Sequence, residues 1–341
     1  LSPSSAASDV YKRQGVTIAT CLAEVNGFYS PWGFSAPVGS EEERRHATVL
    51  YPDGWEHTVW RGFLGPGREA AFTVAFLALR GGPLEFVRWA IERPERRKAL
   101  PKEGPPRWLG RVKLAMFNYP RFEEALSPGL LPKFRRLSEL LGDGYGMAIF
   151  NAFCHGELTF EVRDDVLDFL RQRLSALKRA APNLRVGLYF VFLLGRHTRA
   201  ALSHPDWFVV TREGRRSVLD WPSRFEVQIA LPEARRYFVK SIERILDALP
   251  MLDFLYLDAG EPAFGTPDWG HRVVATYADW HKLYLDVRRL LRERGDKALF
   301  MNHPGAVVAD CFFVELGRGQ WSGWGPLADS LLYACLLYTS D

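Results

Sequence analysis

The chain is poor in the features that announce several large classes of protein. It has only four cysteines in 341 residues, none of them in a CxxC pair. A disulfide framework and a thiolate zinc site are therefore excluded as organising principles. Cys154 and Cys311 border apolar runs and read as small core residues. No stretch approaches the roughly 18–20 apolar residues that cross a bilayer as a helix, so no membrane span is expected. Charge of one sign is lacking as well, since 44 Lys and Arg stand against 40 Asp and Glu. The densest basic cluster, Arg93 with Arg96, Arg97 and Lys98, is partly balanced by Glu92 and Glu95. That is the pattern of a solvated surface, and no nucleic-acid partner is implied. A serine nucleophile elbow and a paired His-x-His at a first strand are also missing. Neither a metal nor another cofactor is expected. What the chain does have is a globular composition, 47% apolar and 25% charged, with 11 Trp, 12 Tyr and 23 Phe. Aromatic side chains build cores, and they also form the platforms on which sugar rings stack.

Both ends stand apart. Asp9–Gln14 reads Asp-Val-Tyr-Lys-Arg-Gln and Cys335–Ser340 reads Cys-Leu-Leu-Tyr-Thr-Ser. The codons GTG TAT AAG AGA CAG encode VYKRQ, and their reverse complement contains TGT CTC TTA TAC AC, which reads CLLYT. Residues 1–14 and 335–341 are thus expected to be translated sequencing-adaptor ends, as in a metagenomic fragment, and are set aside. The remaining 15–334 is expected to be an internal piece of a longer gene.

Residues 15–82 carry antiparallel β signals. The runs Val16–Thr20, Ala47–Tyr51, His57–Trp60 and Ala71–Phe76 are short and are separated by turn residues such as Pro52-Asp-Gly54. They predict part of a β-sandwich. Residues 83–108 predict a linker: an amphipathic helix over 83–93 with Leu84, Phe86, Val87 and Ala90 on one face, stopped by Pro94. The Pro/Gly stretch 102–106 follows it.

From 109 onward strands and helices alternate. Strands are predicted at Val112–Phe117, Met147–Phe150, Val186–Leu193, Phe254–Leu257, Ala298–Met301 and Cys311–Val314. Helical stripes are predicted from Phe134, Leu137, Leu140 and Leu141 before Gly142, from Leu167, Leu170, Leu174 and Leu177, and behind Pro232 from Tyr237, Phe238, Ile242, Ile245 and Leu249. A last stripe runs from Val273 and Val274 through Tyr277, Trp280, Tyr284, Val287 and Leu291 to Gly295. Repeated βα units imply a parallel sheet. No glycine-rich phosphate loop follows the first strand, where Asn118-Tyr-Pro-Arg121 stands instead. The expected fold class is α/β, a (β/α)8 barrel over 109–334. Only six strands fit before 335, so strands seven and eight are expected to be missing.

Within the fourth strand region, Phe254-Leu-Tyr-Leu-Asp258-Ala-Gly-Glu261 is the most informative stretch. An apolar run ending in a carboxylate puts Asp258 where the strand leaves the core, because burying an unpartnered carboxylate is costly. At the C-terminal strand ends of a barrel, that is the place of chemistry; a turn-capping role is the alternative. A long polar insertion, about 195–231, precedes this strand and holds Ser203-His-Pro-Asp-Trp207, Arg212-Glu-Gly-Arg215 and Glu226–Tyr237. Loops of that length are commonly functional.

His-Pro-Asp-Trp, a Gly-bearing turn, a helix opened by Pro-Glu-x-Arg and a strand ending in Asp together resemble the α-galactosidase-like, melibiase-related glycoside hydrolase barrels. Leu64-Gly-Pro-Gly67, as the turn before a sandwich's last strand, is similar to theirs. The resemblance is clearest over 203–261 and moderate over 62–120. It implies that Asp258 is the nucleophile and that Glu315, ending the sixth strand in Phe312-Phe-Val-Glu315, is the acid/base. This chain departs from the family pattern in having Tyr256 where a lysine is usual, Glu315 where an aspartate is usual, and Asn118-Tyr119 where an acidic pair is usual. Those departures imply a distant relative with a different substrate.

Glu261 is the rival for either catalytic role, or a plain loop carboxylate, and Glu315 could instead be a salt-bridge partner. Candidate sugar contacts are His204, Asp206, Trp207, Trp269, Asn302, His303 and His155, with Trp321 and Trp324 as further platforms. Each has a packing or turn-building alternative. The expected function is cleavage of a glycosidic bond in a carbohydrate substrate, an α-linked one on the strength of the resemblance. A non-catalytic carbohydrate-binding barrel, and a barrel lyase or isomerase acting on sugar acids, are the competing readings.

Overall fold

The computed structural model describes residues 16–24, 47–51, 54–58, 73–80, 103–118, 126–151, 160–218, 224–258, 267–274, 277–302 and 309–313. Strands β1 (Val16–Glu24) and β4 (Thr73–Arg80) pair antiparallel, as do β2 (Ala47–Tyr51) and β3 (Gly54–Thr58). They form two separate two-stranded sheets. β3 begins three residues before the expected His57, because Tyr51 pairs with Gly54 and the ladder starts immediately after Pro52-Asp53. The helix expected at 83–93 lies outside the described residues.

A 3-10 turn, Arg107–Arg111, leads into a parallel sheet. Its first three strands are β5 (Val112–Asn118), β6 (Tyr145–Asn151) and β7 (Leu184–Val191). A side ribbon follows, β8 (Leu193–Gly195) antiparallel to β9 (Arg224–Glu226). The sheet resumes with β10 (Phe254–Asp258). A short hairpin, β11 (Pro267–Asp268) with β12 (Val273–Val274), intervenes before β13 (Ala298–Asn302) and β14 (Cys311–Phe313) complete the described sheet. The spatial order β5-β6-β7-β10-β13-β14 is the chain order, and every neighbouring pair is parallel. A doubly wound sheet reverses its order at a switch point. This one never does, as befits the curled wall of a half-barrel.

The connecting helices are α1 (Leu131–Leu141), α2 (Asp164–Ala180), the short α3 (Arg199–Ser203), α4 (Pro232–Ala248) and α5 (Tyr277–Glu293). α1 stops at Gly142, whose φ of 58° falls in the left-handed region that glycine adopts freely. α2 has Asp164 and Asp165 in its first turn and Lys178 and Arg179 in its last, matching the helix dipole at both ends. The stripe Leu167, Leu170, Leu174 and Leu177 is buried as expected.

Two expectations fail. Leu140 is 69% exposed, because the face of α1 runs through Phe134, Leu137, Ser138 and Leu141 and leaves Leu140 well off its centre. Val273 and Val274 form β12 instead of starting α5, since Val273 pairs with Asp268 and Val274 with Pro267.

The middle of the sheet is apolar on both faces, which is why its strands read as near-continuous apolar runs. Leu184, Val186, Leu188 and Phe190 of β7, Leu255 and Leu257 of β10, and Leu299 and Met301 of β13 pack against the helices. The alternate residues, Tyr189 and Val191, Phe254 and Tyr256, Ala298 and Phe300, form an inner cluster with Met147 and Ile149. Trp108 belongs to that cluster next to the strands' N-terminal ends, its ring 6.3 Å from Phe254 and 6.2 Å from Phe300. Its Nε1 donates to the Asp296 carbonyl at 3.0 Å. No helix among the described residues is long and apolar enough to cross a membrane.

Candidate functional site at the C-terminal ends of the strands

Asp258 is the last residue of β10, in register with Val191 of β7. Counting by twos along each strand, it falls in step with Phe254 and Tyr256 of the inner cluster. The same count puts Asn302 in step with Ala298 and Phe300, and Asn151 in step with Met147 and Ile149. Three strand ends therefore bring polar residues to inner-face positions at one rim. One layer deeper, the rings of Tyr189 and Tyr256 lie 5.2 Å apart. Glu261, Glu315, His155, His303, Trp321 and Trp324 lie outside the described residues.

The polar insertion expected to be a loop is a folded ribbon. Thr198 caps α3, its Oγ1 accepting from Ala201 N at 3.2 Å. A 3-10 turn over Pro205–Trp207 follows. Antiparallel bridges then join Phe208 to Val227, Val210 to Arg216 and Val218 to Phe225. His204 and Asp206 are exposed, and Trp207 is buried. The His204 ring stacks on the Trp207 indole with centroids 3.9 Å apart and planes 4° off parallel. Beyond it, Trp207 meets Tyr237 at 5.5 Å. Sequence reasoning treats these side chains as separate contacts; in the structure they are one packed stack.

The residue that organises this region is Asp268, which the sequence reading missed. Its carboxylate is fully buried. Oδ1 accepts from the backbone N–H groups of Val210 (3.1 Å), Gly270 (2.9 Å) and His271 (3.3 Å). Oδ2 accepts from Gln228 Nε2 at 3.3 Å and lies 2.7 Å from His271 Nδ1. A carboxylate with this many donors is well compensated for burial. It pins the insertion, which leaves the end of β7, to the segment that leaves the end of β10. The Trp269 N–H adds a bond to the Val210 carbonyl at 2.8 Å. Trp269 itself is 46% exposed, with the Arg212 guanidinium 5.6 Å from its ring centroid. A signal was present in Asp268-Trp-Gly270-His271, where an aspartate two residues before a glycine marks an Asx-type turn.

The opposite rim is built differently. A cavity of about 420 Å³ there is lined by Trp108, Tyr145, Arg185, Asp253 and Lys297, among others. It sits at the N-terminal strand ends, away from Asp258, where barrels keep their stability rather than their chemistry. Asp253 accepts from Lys178 Nζ, Arg185 and Val186 N, each at 2.8 Å. Lys297 donates to the carbonyls of Pro250 and Leu252, and burial holds its ammonium below the usual lysine range. Among the described residues no group of three or more His, Cys, Asp or Glu is placed to hold a metal ion.

No known family profile matches the chain, and no curated protein matches it. Solved structures do match. An α-galactosidase from Thermus thermophilus, in complex with p-nitrophenyl α-D-galactopyranoside, is similar over 87% of this chain and 51% of its own, with 16% identity and a TM-score of 0.51. A GH36 α-galactosidase from Geobacillus stearothermophilus, in complex with 1-deoxygalactonojirimycin, is similar over 76% of this chain and 38% of its own, with 13% identity and a TM-score of 0.52. A GH31 sulfoquinovosidase from E. rectale is similar over 79% of this chain and 40% of its own, with 14% identity and a TM-score of 0.51. The chain spans about half or less of the length of each. At such identities the likeness is one of fold: the parallel half-barrel is of the kind found in these glycoside hydrolases.

Proposed function

We propose that the protein is a glycoside hydrolase acting on an α-linked sugar, distantly related to the α-galactosidases it resembles. In this reading the catalytic barrel occupies 109–334, behind a linker over 83–108 and part of a β-sandwich over 15–82. The observation that carries it is the position of Asp258, at the C-terminal end of the fourth parallel strand and in step with the inner face. Asp258 is the nucleophile, attacking the anomeric carbon. Glu315 protonates the leaving oxygen and later activates water, and Glu261 is the alternative for that role. Glu315 stands two residues beyond Phe313, the last described residue of β14. A retaining reaction needs the two carboxyl groups about 5–5.5 Å apart, and an inverting one about 6.5–9.5 Å. Asn302, His303, His155 and Trp269 contact the sugar around the rim, with His204 and Asp206 contributing from the insertion, where the buried Trp207 backs the His204 ring.

Aryl glycosides with graded leaving groups test this. Asp258→Asn keeps shape but loses the charge that faces an oxocarbenium-like transition state, so kcat should fall more than about a thousandfold. Glu315→Gln should impair poor leaving groups far more than good ones, and azide should partly rescue Glu315→Ala if the enzyme retains configuration. Equal losses across leaving groups would transfer the acid role to Glu261. A near-normal rate in Asp258→Asn would leave a barrel that holds sugars without cutting them.

A further inference from the structure

Arg212, Arg215 and Arg216 fall within five residues, on a turn whose one carboxylate is Glu213. The turn is well defined: Thr211 N donates to the Arg215 carbonyl at 2.7 Å, Gly214 has φ 78°, and Val210 bridges Arg216. Through Asp268 and the bond from Trp269 N to Val210 O it is fastened to the segment bearing Trp269, His271 and Arg272. Both segments grow from the C-terminal ends of adjacent strands, β7 and β10. They therefore leave the sheet at the rim where β10 ends in Asp258.

Several arginines of the protein are committed to carboxylates. Arg288 and Arg292 share Asp310, Arg235 pairs with Asp279, and Arg244 pairs with Asp164. Among the described residues, Arg212, Arg215, Arg216 and Arg272 have no such ion-pair partner. Arg216 is used for packing, its guanidinium lying over Phe208 at 4.9 Å and Phe225 at 5.4 Å. Arg212, Arg215 and Arg272 are exposed; the Arg212 guanidinium lies 5.6 Å from the ring centroid of the half-exposed Trp269, and Arg272 follows His271, which is fixed through Nδ1 by a buried carboxylate. The one carboxylate on the turn, Glu213, is held below the usual carboxylate range by a hydrogen bond from Thr211 and by the charges of Arg215 and Arg212, which leaves the turn with three arginines against one acid.

An aromatic face next to forked cationic donors is the chemistry that recognises an acidic sugar: the ring stacks, and its anionic substituent takes paired N–H bonds from guanidinium groups. We propose that this rim selects glycosides bearing a carboxylate, sulfate or sulfonate group, with Arg212, Arg215 and Arg272 meeting the anion and Trp269 meeting the ring. The proposal rests on the glycoside-hydrolase reading and supplies its substrate class.

Calorimetric titration without turnover tests it on matched pairs that differ only at C6: methyl α-galactoside against methyl α-galacturonide, and methyl α-glucoside against methyl α-glucuronide. The acidic member of at least one pair should bind about tenfold or more tightly than its neutral counterpart, and rising salt should erode that advantage. Arg212→Gln and Arg272→Gln should each lower the acidic-to-neutral affinity ratio, while Arg212→Lys should retain part of it, because the charge survives and the fork does not. Equal affinity within every pair, or a ratio untouched by both glutamine variants, overturns the acidic-sugar rim and leaves the hydrolase reading standing. Failure of all four sugars to bind overturns both.

Discussion

The phenol of Tyr237 lies on the buried side of α4 against Trp207, and burial, reinforced by the negative charge of Glu161, pushes its pKa up to about 12 from 10.0. The folded protein thus favours the neutral phenol more than the unfolded chain does. A group whose folded pKa is raised gives its full stabilisation below the unfolded value and loses it as pH climbs through the folded one. The loss should fall between about pH 10 and pH 12 and amount to about 2–3 kcal/mol. Urea midpoints measured across that window should drop more steeply for the native sequence than for Tyr237→Phe. Parallel curves would mean that the phenol titrates as it does unfolded. At this scale the sequence was partly readable. Tyr237 was expected on the apolar stripe behind Pro232 and is half-buried there, packed against the core. Its partner Trp207 is buried and packs between His204 and Tyr237. The stack depends on the Pro205 turn folding back onto α4, a contact across thirty residues that no local pattern encodes.

Elements of the sheet were legible because most of their residues are apolar and they are bounded by Gly, Pro or charge. All six expected strands were found within one to two residues at most of their ends, and Asp258 fell at the predicted terminus. The ribbons β8–β9 and β11–β12 were not legible. Strands of two or three residues carry no period, and the ribbon that β8 and β9 begin is tied to β11 by Asp268, fifty-eight residues beyond Val210. A glycine inside β7 shows what the strand pattern conceals. Gly187 pairs with Phe254 in register, and a Cβ there would lie 2.2 Å from Phe254 Cε2. The bare backbone lets that ring lie across the strand and reach Phe300 at 4.5 Å. Gly187→Ala must displace a fully buried ring, so it should cost about 1–3 kcal/mol, read as a lower urea midpoint at unchanged slope. Equal stability would show that Phe254 can swing aside within the inner cluster.

Across the whole molecule the two rims of the sheet divide their tasks. At the C-terminal rim stand Asp258, Asn302 and the arginine turn; at the N-terminal rim, buried carboxylates tie strands, helices and the segment before β5 together. Asp310, just before β14, accepts from Arg288 at 2.8 Å, Arg292 at 2.7 Å and the Leu299 N–H at 2.8 Å. The same guanidinium groups reach back to the carbonyls of Glu103 (2.7 Å) and Gly104 (3.1 Å). One aspartate thereby links α5, β13, β14 and the segment that leads into β5. Asp310→Ala would leave two largely buried cations without their shared anion and one strand N–H without an acceptor. Removing one partner of a buried pair is strongly destabilising, so the loss should be about 3–5 kcal/mol. Asp258→Asn, at the other rim, should abolish turnover at nearly unchanged stability. Measuring both variants by denaturation and by sugar binding separates the rims: Asp310→Ala should unfold early yet bind normally while folded. A loss below about 1 kcal/mol would show that Arg288 and Arg292 find other partners and that the N-terminal rim does not depend on this carboxylate.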